Sequence, residues 1–242
     1  MINRKNKLRL DDIIIHRLKK NDKVLSCGVG DGSEIKYLRE KNIKAYGVDP
    51  SRIDDSKIKG VTKYIKKAEI KPKIFGNLKF DLIYAFEVLE HVGCRNYGTI
   101  LEKNFNQKRK YFVNSIISNL KKGGICIITT GNKNCILDPG HSHAYNNLGK
   151  FLKLFTSKFG ISIPFDKKNF LPNANQIIKI LDSIGEKKKI SYKFIDMSNY
   201  PEIVKKKKFI SKIIKYMLKF SNVYLFRKSF MNPILGIEIK LR

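Results

Sequence analysis

One short segment constrains this chain more than any other: Val24-Leu25-Ser26-Cys27-Gly28-Val29-Gly30-Asp31-Gly32. An apolar run, Lys23 to Cys27, has strand character and enters a G-x-G-x-G turn. A stretch of helical periodicity, Ser33 to Glu40, leaves it with Ile35 and Leu38 on the inward side. Glycine at these places lets the backbone turn sharply and lets a ligand lie against bare main chain. The helix beyond adds N–H groups that have no intrahelical partner. A second short strand, Ala45 to Val48, ends in Asp49, 17 residues after Gly32, and Pro50 then forces a turn. A carboxylate at that place can accept both hydroxyls of a ribose. The dinucleotide register G-x-G-x-x-G fails here, because Ser33 takes its last place.

The alternation continues downstream. The pattern predicts an amphipathic helix over 8–19, with Leu10, Ile13, Ile14 and Leu18 on one side, broken by Asn21-Asp22. A helix near 51–58 and a strand near 61–66 precede a loop around Pro72. Phe80 to Phe86 reads as a strand. A helix over 108–120 is expected to stop at Lys121-Lys122-Gly123-Gly124, a basic last turn followed by glycine. Ile125 to Thr130 reads as a buried strand. Helices over 147–158 and 174–184, a strand over 190–196, a basic amphipathic helix over 203–220 and a closing strand, Ile234 to Lys240, complete the reading. Strands alternating with helices imply a parallel sheet covered on both faces. The 242 residues suit one domain, 1–242, in which 131–172 and 198–232 are lid-like insertions.

Two motifs carry a family resemblance. The G-x-G-x-G turn resembles motif I of class I S-adenosylmethionine (SAM)-dependent methyltransferases. Phe80-Asp81-Leu82-Ile83-Tyr84-Ala85-Phe86-Glu87-Val88-Leu89-Glu90-His91-Val92 resembles motif IV of their UbiG-like and type 11 or 12 group, which reads roughly F-D-L-I…E-V-L-E-H-V. Leu120 to Gly124 is similar to that group's L-K-P-G-G turn. The resemblance implies a Rossmann-like seven-stranded sheet, parallel with one antiparallel strand, helices on both faces, and SAM as cofactor. It implies cofactor contacts from Ser26, Cys27, Gly28, Gly30, Gly32 and Asp49, and from the backbone near Ala85 and Phe86. Glu69 lies where the group often has an acid for the adenine amine. Ser26 departs from the pattern, since the family usually has an acid there that holds the glycine loop or the ammonium end of SAM.

Glu87, Glu90 and His91 form E-x-x-E-H, and positions i and i+3 share a face on a helical turn. His141 and His143 follow in Asp138-Pro139-Gly140-His141-Ser142-His143. Two chemistries are open. His91 or His141, with Glu87, can act as a general base on an acceptor hydroxyl, because an unperturbed imidazole titrates near ~6.5. Alternatively Glu87, Glu90, His91 and His143 hold a divalent metal, as related enzymes of the small-RNA 3′-end and quinone-biosynthesis types do. The stretch Thr130 to Asp138 resembles the T-P-N-R-x-x-P-I-D stretch of some small-molecule and glycan methyltransferases. The chain lacks the N/D-P-P-[YF] signature of many amino-group methyltransferases. O-methylation of a small-molecule, glycan or lipid-type acceptor is therefore expected. An RNA methyltransferase and a non-catalytic binding protein on the same fold are the rivals.

Charge bears on those rivals. Lys and Arg number 50 against 21 Asp and Glu, a net charge of +29. Such an excess attracts polyanions, RNA or an anionic membrane surface among them. The Lys-, Ile- and Asn-rich usage is equally what an A/T-biased genome produces. The helix over 203–220 can lie on an anionic membrane or act as an ordinary lid with a solvated basic face. The four cysteines form no C-x-x-C pair and read as packed thiols. Asp11 and Asp12 interrupt any signal-peptide core, so a cytoplasmic location is expected.

Overall fold

The computed structural model describes all residues except 1, 3, 52–58, 99, 136–169, 199, 201–214 and 230. Seven strands form one sheet: β1 (Lys23–Cys27), β2 (Lys44–Asp49), β3 (Ile65–Lys67), β4 (Phe80–Phe86), β5 (Leu120–Gly131), β6 (Ile190–Phe194) and β7 (Ile234–Leu241). Their order is β3-β2-β1-β4-β5-β7-β6. Pairs from β3 through β5 are parallel, and β7 runs antiparallel to both β5 and β6. This is the expected sheet, with β7 as the single reversed strand. Strand order turns back between β1 and β4, so the carboxyl ends of these two strands open a crevice of the kind in which such sheets bind ligands.

Two apolar layers flank the sheet. On one face α3 (Phe105–Asn119) and α4 (Ala174–Gly185) bury Phe112, Val113, Ile116, Ile177 and Leu181 against the strands. A capping box, in which Asn173 and Gln176 each bond the other's backbone N–H, starts α4. On the other face the N-terminal segment and α2 (Ser33–Glu40) bury Leu10, Ile13, Ile14, Ile35 and Leu38. Val24, Leu25 and Ile83 are wholly buried, as β-strands covered on both faces should be.

Several boundaries differ from the sequence reading for identifiable reasons. The first helix starts earlier, with α1 over Arg4–Arg9, then loosens into a π turn, Leu10–Ile14, and tightens into a 3-10 turn, Ile15–Arg17. Residues 61–66 hold a 3-10 turn, Thr62–Tyr64, and only then the short β3. Leu120 to Gly124 is not the end of a helix. Helix α3 stops at Asn119, and β5 begins at once, with a register shift opposite Phe80 to Leu82. Gly123 turns at φ +79°, and a Cβ on Gly124 would lie 2.8 Å from the Lys121 carbonyl, so both glycines serve this bulge. The helices expected over 51–58 and 147–158 fall wholly or mostly outside the described residues. So do most of the segment 131–172, residues 201–214 of the segment 198–232, and the greater part of the helix expected over 203–220. No helix among the described residues is long and apolar enough to cross a membrane.

Candidate active site

The glycine turn sits at the carboxyl end of β1. The Gly28 N–H donates to the Val48 carbonyl at 2.8 Å, which ties the turn to β2. A Cβ on Gly28 would lie 2.3 Å from Val88 Cγ2, so only glycine lets the loop after β4 close over this point. Gly30, at φ +54°, is the opposite case: a Cβ there would meet nothing within 4 Å and would project into open space. The Gly30 N–H donates to Asp49 Oδ2 at 2.8 Å. Asp49 Oδ1 accepts the Ser51 N–H at 2.8 Å and the Ser51 hydroxyl. The carboxylate is thus buried and fixed by its neighbours' backbone, and each oxygen has lone-pair capacity beyond these bonds. Asp31 accepts from the Ser33 N–H and hydroxyl at 3.1 and 2.7 Å and so satisfies the first turn of α2. Burial, and then Asp49, push the Cys27 thiol up, which keeps it neutral.

A cavity of about 700 Å³ runs from this turn across the crevice. Cys27, Gly28, Gly30, Asp49, Phe86 and Val88 line one end, Ala68, Glu69 and Ile70 the side, and His91, Val92 and Phe112 the other end, and Glu87 belongs to the same lining. Ser26, Gly32 and Ala85 support this lining without forming it. Ser26 and Ala85 are buried in the sheet, and Gly32, at φ +72°, is the N-cap of α2.

Of the E-x-x-E-H group, Glu87 and His91 line the same cavity and Glu90 does not. Glu87 adopts φ +56°, a left-handed conformation that side chains disfavour, and its N–H donates to the Thr129 carbonyl at 2.9 Å. That kink directs its carboxylate to Arg9, 3.1 Å away. Glu90 is wholly buried on another side, where its charge acts on Arg109 and Cys94. His91 lies on the cavity, stacked on Phe170 with ring centroids 6.3 Å apart. Its Nδ1 is 3.0 Å from the Gly98 carbonyl. A carbonyl can only accept, so Nδ1 carries a proton, and in the neutral ring Nε2 then holds the lone pair. Among the described residues no group of three or more His, Cys, Asp or Glu side chains can hold a metal. Within the expected metal set, Glu87 engages Arg9 and Glu90 is buried near Arg109, while His143, like His141, lies outside the described residues.

The sequence reading missed a charged network beside the glycine turn. Arg9 is buried, with its Nη1 at 3.1 Å from both Glu87 Oε2 and the Tyr200 hydroxyl, and its guanidinium over the Phe86 ring. Its Nη2 is 3.7 Å from Glu34, which accepts the Tyr84 hydroxyl at 3.0 Å. Burial alone would lower the arginine's pKa, but Tyr200 and Glu87 outweigh it and raise the net value, so Arg9 stays charged. Burial pushes the Glu34 carboxyl up to about 7, against the pull of Arg9 and Tyr84. A second cavity of about 270 Å³ opens here, lined by Arg9, Asp31, Glu34 and Tyr84 and sharing Gly28, Gly30 and Phe86 with the larger one. One local signal was available for Glu34: it precedes Leu38 by four residues and therefore shares the buried face of α2.

Arg109 on α3 is another buried cation the sequence did not flag. Its guanidinium donates to the carbonyls of Val92 at 3.2 Å, Glu90 at 2.8 Å and Phe170. It thereby holds the loop that carries His91.

Comparison with known proteins agrees with this architecture. A family model described as a methyltransferase domain matches residues 2–185. Among solved structures the chain is similar to a SAM-dependent methyltransferase from Archaeoglobus fulgidus, with 16% identity, a TM-score of 0.51, and 97% of this chain and 92% of that one covered. It is also similar to the plantazolicin methyltransferase BpumL in complex with a pentazolic desmethylPZN analog and SAH. There the identity is 14% and the TM-score 0.52, covering 98% of this chain and 81% of that one. At such identities the likeness is one of fold. No curated protein matches the sequence at a significant level.

Proposed function

Because this chain belongs to the methyltransferase-domain family and has the class I fold, we propose that it moves the methyl group of SAM to an oxygen of a small-molecule, glycan or lipid-type acceptor. The residues present fit that cofactor. The open space at Gly30, the buried Asp49 carboxylate with remaining lone pairs, and an adjoining cavity of about 700 Å³ suit a nucleoside with a sulfonium arm. SAM, when bound, supplies an electrophilic methyl group on a positively charged sulfur. The chain's part is then positioning, which is a large share of the catalysis such a transfer requires. Asp49 and the glycine turn hold the nucleoside end, and Phe86 and Val88 cover it. Arg109 fixes the loop that presents His91, and His91 Nε2 would take the proton of the acceptor hydroxyl.

The observation that carries this reading is the shared cavity. Asp49 and His91 line one cavity of small-molecule size. The net charge of +29 favours a second reading, an RNA acceptor. Transfer of labelled methyl from SAM into a cell extract separates the two, with the extract fractionated into RNA, lipid, glycan and small molecules. Label outside RNA is the expected result, and label confined to RNA overturns the acceptor class. No label in any fraction overturns the enzyme reading. A parallel run with EDTA reports on any metal held with His141 or His143.

A further inference from the structure

The smaller cavity is chemically unlike the larger one. Its lining places a buried guanidinium, Arg9, and a buried carboxylate, Glu34, 3.7 Å apart, beside the same Gly28 and Gly30 that line the larger space. Opposite charges fixed in one small recess match a zwitterion, and the proposed cofactor ends in one: an α-ammonium beside an α-carboxylate. β1, Lys23–Cys27, adds no charge to this lining, and Ser26, buried within that strand, carries only a hydroxyl.

We propose that Glu34, projecting from the first turn of α2, is the anionic contact for the ammonium group of the bound cofactor, and that Arg9 faces its carboxylate. This rests on the SAM reading and deepens it. Four other groups face Glu34: Arg9 from α1, Asp31 from the glycine turn, Tyr84 from β4 and Glu87 from the loop beyond. Arg9 is the sole cation among them, and Glu87 already engages it at 3.1 Å. A second cation is therefore accommodated without leaving Arg9 unpaired. The Tyr84 hydroxyl holds the Glu34 carboxylate in place at 3.0 Å, so the contact is formed before the ligand arrives.

The test compares two ligands on two proteins by calorimetry at pH 8: S-adenosylhomocysteine (SAH) and its des-amino analogue, in which hydrogen replaces the α-amino group. Wild type should prefer SAH by about 10- to 100-fold, the range a charge-assisted contact supplies. Glu34→Gln should lose most of that preference by weakening SAH while leaving the analogue within about threefold. A merely structural role would weaken both ligands alike, and that result overturns the proposal, as does a variant that keeps the wild-type preference. Were Glu34→Gln not to fold, the wild-type preference alone decides: tenfold or more supports the assignment, and equal affinity overturns it. Wild type binding neither ligand is a separate result, which removes the SAM reading and this inference together.

Discussion

The two ends of the main cavity are built differently. The end at β1 and β2 is made mainly of main chain and one carboxylate between Cys27 and Ser51, with Phe86 and Val88 laid over it, and its geometry is set by local turns. The end beyond β4 is made of side chains held by cations from remote segments. Arg9 reaches Glu87 across 78 positions and Tyr200 across 191, and Arg109 reaches Phe170 across 61. A backbone cradle tolerates change in most side chains and suits a ligand common to many enzymes. A side-chain network can be altered piecemeal, and suits whatever differs between them. On this account the first end binds, and the second selects and reacts.

The comparison predicts effects that fall on different observables. The largest belongs to His91→Gln: methyl transfer should drop by roughly 10²- to 10⁴-fold, the usual range for a lost general base, while SAH affinity stays unchanged. Equal loss of both would place His91 with the cradle instead. Next comes Arg109→Met, which leaves three carbonyls, two of them buried, without this donor and the buried Glu90 without its neighbouring cation. It should cost about 3 kcal/mol, seen as a fall in Tm of roughly 6–12 °C. An unchanged Tm would show that this arginine does not hold the loop.

The third effect is a pH dependence. Burial holds the Glu34 carboxyl at about 7, above the ~4.3 of an unfolded chain. The folded state therefore binds this proton more tightly. The resulting stability is fully present below pH ~4 and is lost as pH rises through about 7. Gln imitates the protonated form. The Tm of the unliganded wild type and Glu34→Gln should nearly coincide at pH 4, with wild type lower by several degrees at pH 8, within a ceiling on the order of 3 kcal/mol. The same offset at both pH values would contradict a raised Glu34 pKa. The smallest effect is Gly30→Ala, whose only stability cost is the left-handed backbone, about 1–2 kcal/mol. Gly28→Ala adds the collision with Val88 and should melt lower still. The reverse order would remove the distinction between a packed and an open glycine.

The same division explains what the sequence disclosed. The ends of β1 and α2, the two glycine roles and Asp49 follow from residues within one 30-residue window, where strand period, helix period and φ > 0 leave few choices. The E-x-x-E-H group is legible only in part, because its spacing assumes a helical turn, whereas Glu87 stands at φ +56° and bonds an arginine 78 residues earlier. Lys121 to Gly124 misled in a related way, since a glycine that stops a helix and one that makes a bulge look alike without the partner strand. Arg9 is a polar position in an amphipathic helix, and nothing local marks it as buried. Its partners on α2, on the loop after β4 and at Tyr200 meet only when the sheet assembles.

The claim under all of this is that Asp49 and the glycine turn together hold a nucleoside. Calorimetric titration of SAH into wild type and Asp49→Ala tests it most directly. The account predicts one site per wild-type chain and affinity at least about 100-fold weaker in the variant, the loss of two hydrogen bonds to a charged acceptor. Equal affinity in the two proteins would contradict it.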